Sequence, residues 1–199
     1  GEDKHEILTL TGKNIVIRGI HFANAGYSSM NDFAAIKIID ATNILIEGNV
    51  ISNASFAIHI ANSTYSHIRN NTINGPNKSE HSSGNGIHLW KCESMTIEGN
   101  SIRGHRDGIY LEFVSKSTIQ KNRSEQNIRY GLHFMFSPDN AYLGNTFRKN
   151  GAGVAVMYSK NVRMENNIFE ENWGASAYGI LLKDITDSHI QNNQFIQNT

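Results

Sequence analysis

The chain has 199 residues, with 18 Lys and Arg balanced by 18 Asp and Glu and one cysteine. That length suffices for one domain with its own core, and the charge balance gives no field that would draw in nucleic acid or an anionic membrane surface. A lone Cys92 excludes an internal disulfide and a CxxC metal site, and no apolar run reaches the roughly 18 residues of a membrane span.

In chain order, Thr11–Phe22 reads as a partial coil with Ile15, Ile17, Ile20 and Phe22 inward, followed by a longer connection over 23–34. From there an apolar residue is followed thirteen positions later by asparagine, seven times over. The pairs are Ile36/Asn49, Ile58/Asn71, Ile87/Asn100, Ile109/Asn122, Leu132/Asn145, Val154/Asn167 and Ile180/Asn193. A small residue precedes each first member: Ala35, Ala57, Gly86, Gly108, Gly131, Gly153 and Gly179. The next apolar residue lies two on, from Ile38 to Leu182, and another ten on, from Ile46 to Ile190. Connections over 74–85 and 171–178 interrupt a spacing of about 22 residues.

Apolar alternation of period two in short pieces means strands, and strands recurring at a fixed spacing mean a solenoid. The expected fold is all-β: a right-handed single-stranded parallel β-helix forming one domain over 1–199. At a sharp bend Asn tolerates left-handed geometry, and stacked on itself its amide donates to one coil and accepts from another. Asn49, Asn71, Asn100, Asn122, Asn145, Asn167 and Asn193 are therefore expected to form an internal ladder. The small residue before each first strand suits a tight bend or positive φ.

Function must come from the outward residues. One position after the anchoring apolar residue the column reads Lys37, His59, His88, Tyr110, His133, Ala155, Leu181. Two further on it reads Ile39, Ala61, Trp90, Glu112, Met135, Met157, Lys183, and Phe113, Phe136 and Tyr158 follow directly. Three readings fit this face: a β surface covered by other parts of the chain, a protein-docking surface, or a soft-metal site. Imidazole with thioether is a donor set that suits Cu(I), and His133, Met135 and Met157 supply it on adjacent rungs, with His88 as a further candidate. His105, Arg106 and Asp107 on one bend and Arg129 on the next read as solvated turns with local ion pairs, or as a rim that orients a partner.

The repeat resembles pectate-lyase-like solenoids, many of which process acidic polysaccharides. Such chemistry needs clustered carboxylates, yet on the central coils of this face only Glu112 is one. No serine sits in a Gly-x-Ser-x-Gly elbow, so no catalytic residue is assigned and the expectation is a protein that is not an enzyme. A carbohydrate-binding or polysaccharide-processing role stands as the alternative.

Four strings resemble the NosD family, the periplasmic maturation proteins of nitrous oxide reductase. They begin at Asp107-Gly-Ile-Tyr-Leu-Glu-Phe, Arg129-Tyr-Gly-Leu-His-Phe-Met-Phe, Gly151-Ala-Gly-Val-Ala-Val-Met-Tyr and Trp173-Gly-Ala-Ser-Ala-Tyr-Gly-Ile. The likeness is strongest over roughly Gly86 to Ser188. It implies an accessory protein that assists copper delivery and assembly of the reductase's copper–sulfide centre. The implied partners are nitrous oxide reductase, a copper chaperone lipoprotein, and the ATPase and membrane subunits of an ABC transporter. It also implies periplasmic localisation, transient copper binding, and further C-terminal coils beyond this sequence. On that reading His88, His133, Met135 and Met157 are the candidate copper ligands. Trp90, Tyr110, Glu112, Phe113, Phe136, Tyr158 and Arg129 form the candidate docking face.

Overall fold

The structure, a computed structural model, describes residues 2–28, 31–174 and 178–198. Parts of the expected connections 23–34 and 171–178 thus lie outside the described residues. The chain winds as a parallel β-helix whose strands form three parallel sheets, each with eight strands among the described residues. Every turn contributes one strand to each sheet, and every strand pairs with its equivalent one turn away. In the first sheet Ile36, Ile58, Ile87, Ile109, Leu132, Val154 and Ile180 align as one column. Rungs at roughly 4.8 Å bring like residues face to face.

The expected partial first coil is a whole one. It has strands Leu8–Lys13, Val16–Arg18 and His21–Ala23, each paired to the next turn. Ile17 and Phe22 are buried as expected, whereas Ile20 is 44% exposed. Its backbone explains this: Ile20 N–H donates to Asn49 Oδ1, so Ile20 occupies the ladder position of its coil and its side chain points out.

Within the ladder, Asn49 N–H and Nδ2 both donate to Asn71 Oδ1, at 3.0 Å each, while Asn71 Nδ2 also donates back to Ile46 O. The pattern repeats through Asn100, Asn122, Asn145 and Asn167 to Asn193. A second ladder runs five residues later through Asn127, Asn150, Asn172 and Asn198, begun by His105 N–H on Asn127 Oδ1. Its signal was present as Asn-x4-Asn in the last four coils. At a third bend, Ser63, Ser66, Ser117, Ser137 and Ser159 accept from backbone N–H groups of the preceding coil.

The small residue before each first strand is required by crowding, with no positive φ at Gly86, Gly108, Gly131, Gly153 or Gly179. A Cβ on Gly108 would lie 2.0 Å from Ser124 Oγ and 2.8 Å from Gly131 O. Phe134, Phe147, Phe169 and Tyr142 fill the core of the later coils. Tyr142 is fully buried, its hydroxyl has no hydrogen-bond partner, and burial pushes its pKa well above the usual phenol value. Tyr142→Phe is therefore expected to stabilise the chain by about 1 kcal/mol, because it removes an unsatisfied polar group at almost constant volume. Urea unfolding measures this, and a loss of stability would mean that the hydroxyl has a partner.

Candidate functional site

The outer face of the first sheet carries an aromatic file set by the register. His59, His88, Tyr110 and His133 are successive partners in the ladder. Their ring centroids lie 4.6, 4.8 and 4.9 Å apart, near-parallel for His59–His88 and tilted for the two pairs with Tyr110, with Phe56 against His59 and His88, and Tyr130 against His133. Although they point away from the core, His88 and His133 are buried, because neighbouring rings cover them. Both nitrogens of His88 lack partners, and so does Nδ1 of His59. Burial, then the neighbouring His59 and Arg106, pushes His88 down to about 3, so its imidazole is neutral at any physiological pH.

The file separates two clefts. One, of about 490 Å³, is lined by Glu80, Ile128, Arg129, Tyr130, His133, Met135, Gly151, Ala152 and Met157. Asp107, expected in a solvated turn, is fully buried beneath it, as is His105. Asp107 Oδ2 lies 3.4 Å from His133 Nδ1 and 3.2 Å from Arg129 Nη2. Arg129 Nη2 is also 3.4 Å from His133 Nδ1, so Asp107, Arg129 and His133 meet in one cluster. His133 Nε2 is buried and without a partner; in the tautomer whose Nδ1–H donates to Asp107, Nε2 carries the lone pair. Met135 and Met157 are ladder partners on adjacent rungs, each half-buried. Glu80, from the 74–85 connection, pairs with Arg129 at 3.5 Å and closes the rim.

The other cleft, of about 380 Å³, is lined by Asp32, Lys37, Ile38, Ile39, His59, Ala61, Asn62, His88, Trp90 and Glu112. The structure thus brings His133, Met135 and Met157 together and places His88 two rungs away, roughly 10 Å, on the far side of Tyr110. Trp90 and Glu112, expected on a docking face, sit with His88, and Lys91 lies over the Trp90 ring at 4.2 Å.

Beside both clefts Phe113, Phe136 and Tyr158 stack with centroids 5.4 and 5.0 Å apart, and all three are exposed. They stand in one column of left-handed backbone with Asp40, Asn62, Lys91 and Asp184, every φ between 49° and 54°. This conformation suits Asn or Asp and is unfavourable for bulky residues, so aromatic side chains there are held against local preference. Phe136→Asn is expected to change stability by under about 1 kcal/mol, because the better backbone preference offsets the lost stacking. A urea midpoint measures it; a larger loss would make the file part of the scaffold.

The fold is that of pectate-lyase-like β-helix proteins. The lid-free DFA-IIIase of Arthrobacter chlorophenolicus superposes with a TM-score of 0.70 at 16% identity, over 93% of this chain and 51% of that one. A double mutant of the periplasmic alginate epimerase AlgG gives 0.62 at 18%, over 88% and 38%. At such identity these likenesses carry the architecture and no activity. The family described as "Periplasmic copper-binding protein (NosD)" matches residues 75–199, and the chain belongs to that family. A Pseudomonas aeruginosa protein described as "Probable ABC transporter binding protein NosD" is 32% identical over 104 residues. The match covers 51% of this chain and spans 24% of that relative's length. Among the described residues no helix is long and apolar enough to cross a membrane.

Proposed function

We propose that the chain is a periplasmic accessory protein that holds Cu(I) transiently as cargo on His133, Met135 and Met157. The observation that carries this reading is His133 Nε2, which Asp107 orients and which has no partner beside two thioethers on adjacent rungs. One neutral imidazole with two thioethers is a soft, low-charge set that binds Cu(I) and releases it readily. The half-exposed methionines keep the ion within reach of an acceptor. In the wider reading the copper passes to the copper–sulfide centre of nitrous oxide reductase. A copper chaperone lipoprotein supplies it, and the protein works beside the ATPase and membrane subunits of an ABC transporter. Trp90, Tyr110, Glu112, Arg129 and the Phe113, Phe136 and Tyr158 file are then the surface on which those partners dock, since rigid aromatic side chains with Arg anchor interfaces.

Cu(I) titration against a competing chelator tests the cargo site. Met135→Leu/Met157→Leu is expected to weaken binding at least about tenfold, and equal affinity in both proteins would remove the assignment. Asp107→Asn is expected to weaken it by about 10–100-fold, the usual effect of losing the group that orients a ligating histidine. Pull-down of the reductase or chaperone with Trp90→Ala and Tyr158→Ala tests docking; undiminished capture would move the interface elsewhere.

A further inference from the structure

The cleft beyond Tyr110 has a donor set of a different kind. Asp32, His59 and His88 each offer one ligand atom, and the three atoms lie within 4.8 Å of one another. Asp32 is exposed on the 23–34 connection, His59 is half-buried, and His88 is 9% exposed. Neither nitrogen of His88 has a hydrogen-bond partner, nor does Nδ1 of His59. A neutral imidazole carries a lone pair on one nitrogen and an N–H on the other; a buried lone pair left unmet costs about 1–3 kcal/mol, and a cation that accepts it removes that penalty.

We infer that Asp32, His59 and His88 form a site for a divalent cation of the zinc or copper(II) kind, separate from the thioether site.

Two imidazoles and one carboxylate, with no sulfur, are the borderline donors that Zn²⁺ takes with a fourth position left open, whereas Cu(I) prefers sulfur. The local charge fits a cation. Asp32 and Glu112 both face the cleft, and the one lysine in its wall, Lys37, is paired with Glu6. Arg106, which faces His88 from the next bend, donates Nη2 to Asn85 Oδ1 at 3.3 Å. A four-coordinate ion with ligands at about 2.0–2.1 Å holds its donors roughly 3.3 Å apart. Binding therefore draws Asp32 inward and splays the two imidazoles, which stack 4.6 Å apart at 12°.

This inference does not rest on the Cu(I) reading, and the two are separable in one set of titrations. Zn²⁺ is titrated against a chromophoric chelator, and Co²⁺ is followed by its d–d absorption, which reports imidazole and carboxylate ligation. Wild type is expected to take up one Zn²⁺ per chain at this site. Asp32→Asn and His59→Gln are expected to weaken that uptake at least tenfold, with Met135→Leu/Met157→Leu unchanged. Asp32 is exposed, so Asp32→Asn carries the test even where His59→Gln fails to fold. Absent Zn²⁺ uptake, full affinity in Asp32→Asn, or an equal loss in the methionine pair would overturn the inference. Loss of Cu(I) binding with intact Zn²⁺ uptake would overturn only the thioether site.

Discussion

Asn122→Ala is expected to destabilise the chain by about 2–4 kcal/mol, a large part of the roughly 5–15 kcal/mol that holds a domain folded. Asn122 is 2% exposed. Its Oδ1 accepts from Asn100 N–H at 2.9 Å and from Asn100 Nδ2 at 3.0 Å, and its Nδ2 donates to Ile97 O and Asn145 Oδ1. Truncation leaves Asn100 N–H without a partner in a dry bend, at about 1–3 kcal/mol, and takes one donor from Ile97 O and one of the two acceptors of Asn100 Nδ2, which keeps Ile68 O. Asn145 Oδ1 keeps a donor, because Asn122 N–H still reaches it. Since each turn touches only its neighbours, damage at a central rung decouples the two halves of the stack. Hydrogen exchange should show lost protection centred on the turns of Asn100 and Asn122, and equilibrium unfolding should lose cooperativity. A change below about 1 kcal/mol would mean that water replaces the amide and that the column is decoration.

Lowering the pH from 7 to 4 is the second large effect. Burial holds His105 down to about 4 and His88 down to about 3, against an ordinary 6.5. In the unfolded chain both take up protons as pH falls through 6.5, whereas the folded protein resists until their depressed pKa values are reached. Stability is therefore full above about 6.5 and declines below it, by up to about 3 kcal/mol per pH unit while both groups are protonated only when unfolded. His59, lowered mainly by burial, adds to the same trend. Urea midpoints of chelator-treated protein at pH 7, 6 and 5 measure the slope. His88→Phe, which keeps a ring in the file, should remove close to half of it. A flat profile would show that water or an anion reaches these imidazoles.

What could be read in the sequence was whatever the repeat amplifies. Inward Ile columns and the asparagine at plus thirteen recur seven times, so each occurrence confirms the register of the others. Ile20 misled because the first coil has an apolar residue in the asparagine slot, where a hydrophobic side chain usually implies core. Asp107 misled in the opposite direction. A carboxylate on a bend is ordinarily solvated, and only the packing of two turns shows it buried under Arg129 and His133. The column already placed Tyr110 between His88 and His133, but spacing alone could not reveal that the rings pack on one another and divide the face into two clefts. Asp32 carried no signal, since it enters from a connection outside the repeat.

The asparagine ladder also makes the solenoid electrically polar along its axis. From Asn49 to Asn193 every Oδ1 accepts from the preceding turn, and from Asn49 to Asn167 every Nδ2 sends one hydrogen to the following one. The side-chain amides therefore line up head to tail, as peptide units do in a helix, and the second column beginning at Asn127 points the same way. A chain with balanced charge thus has a built-in field, negative toward its early turns and positive toward its later ones. Each added turn lengthens that dipole, and hydrogen bonds in such a file polarise one another.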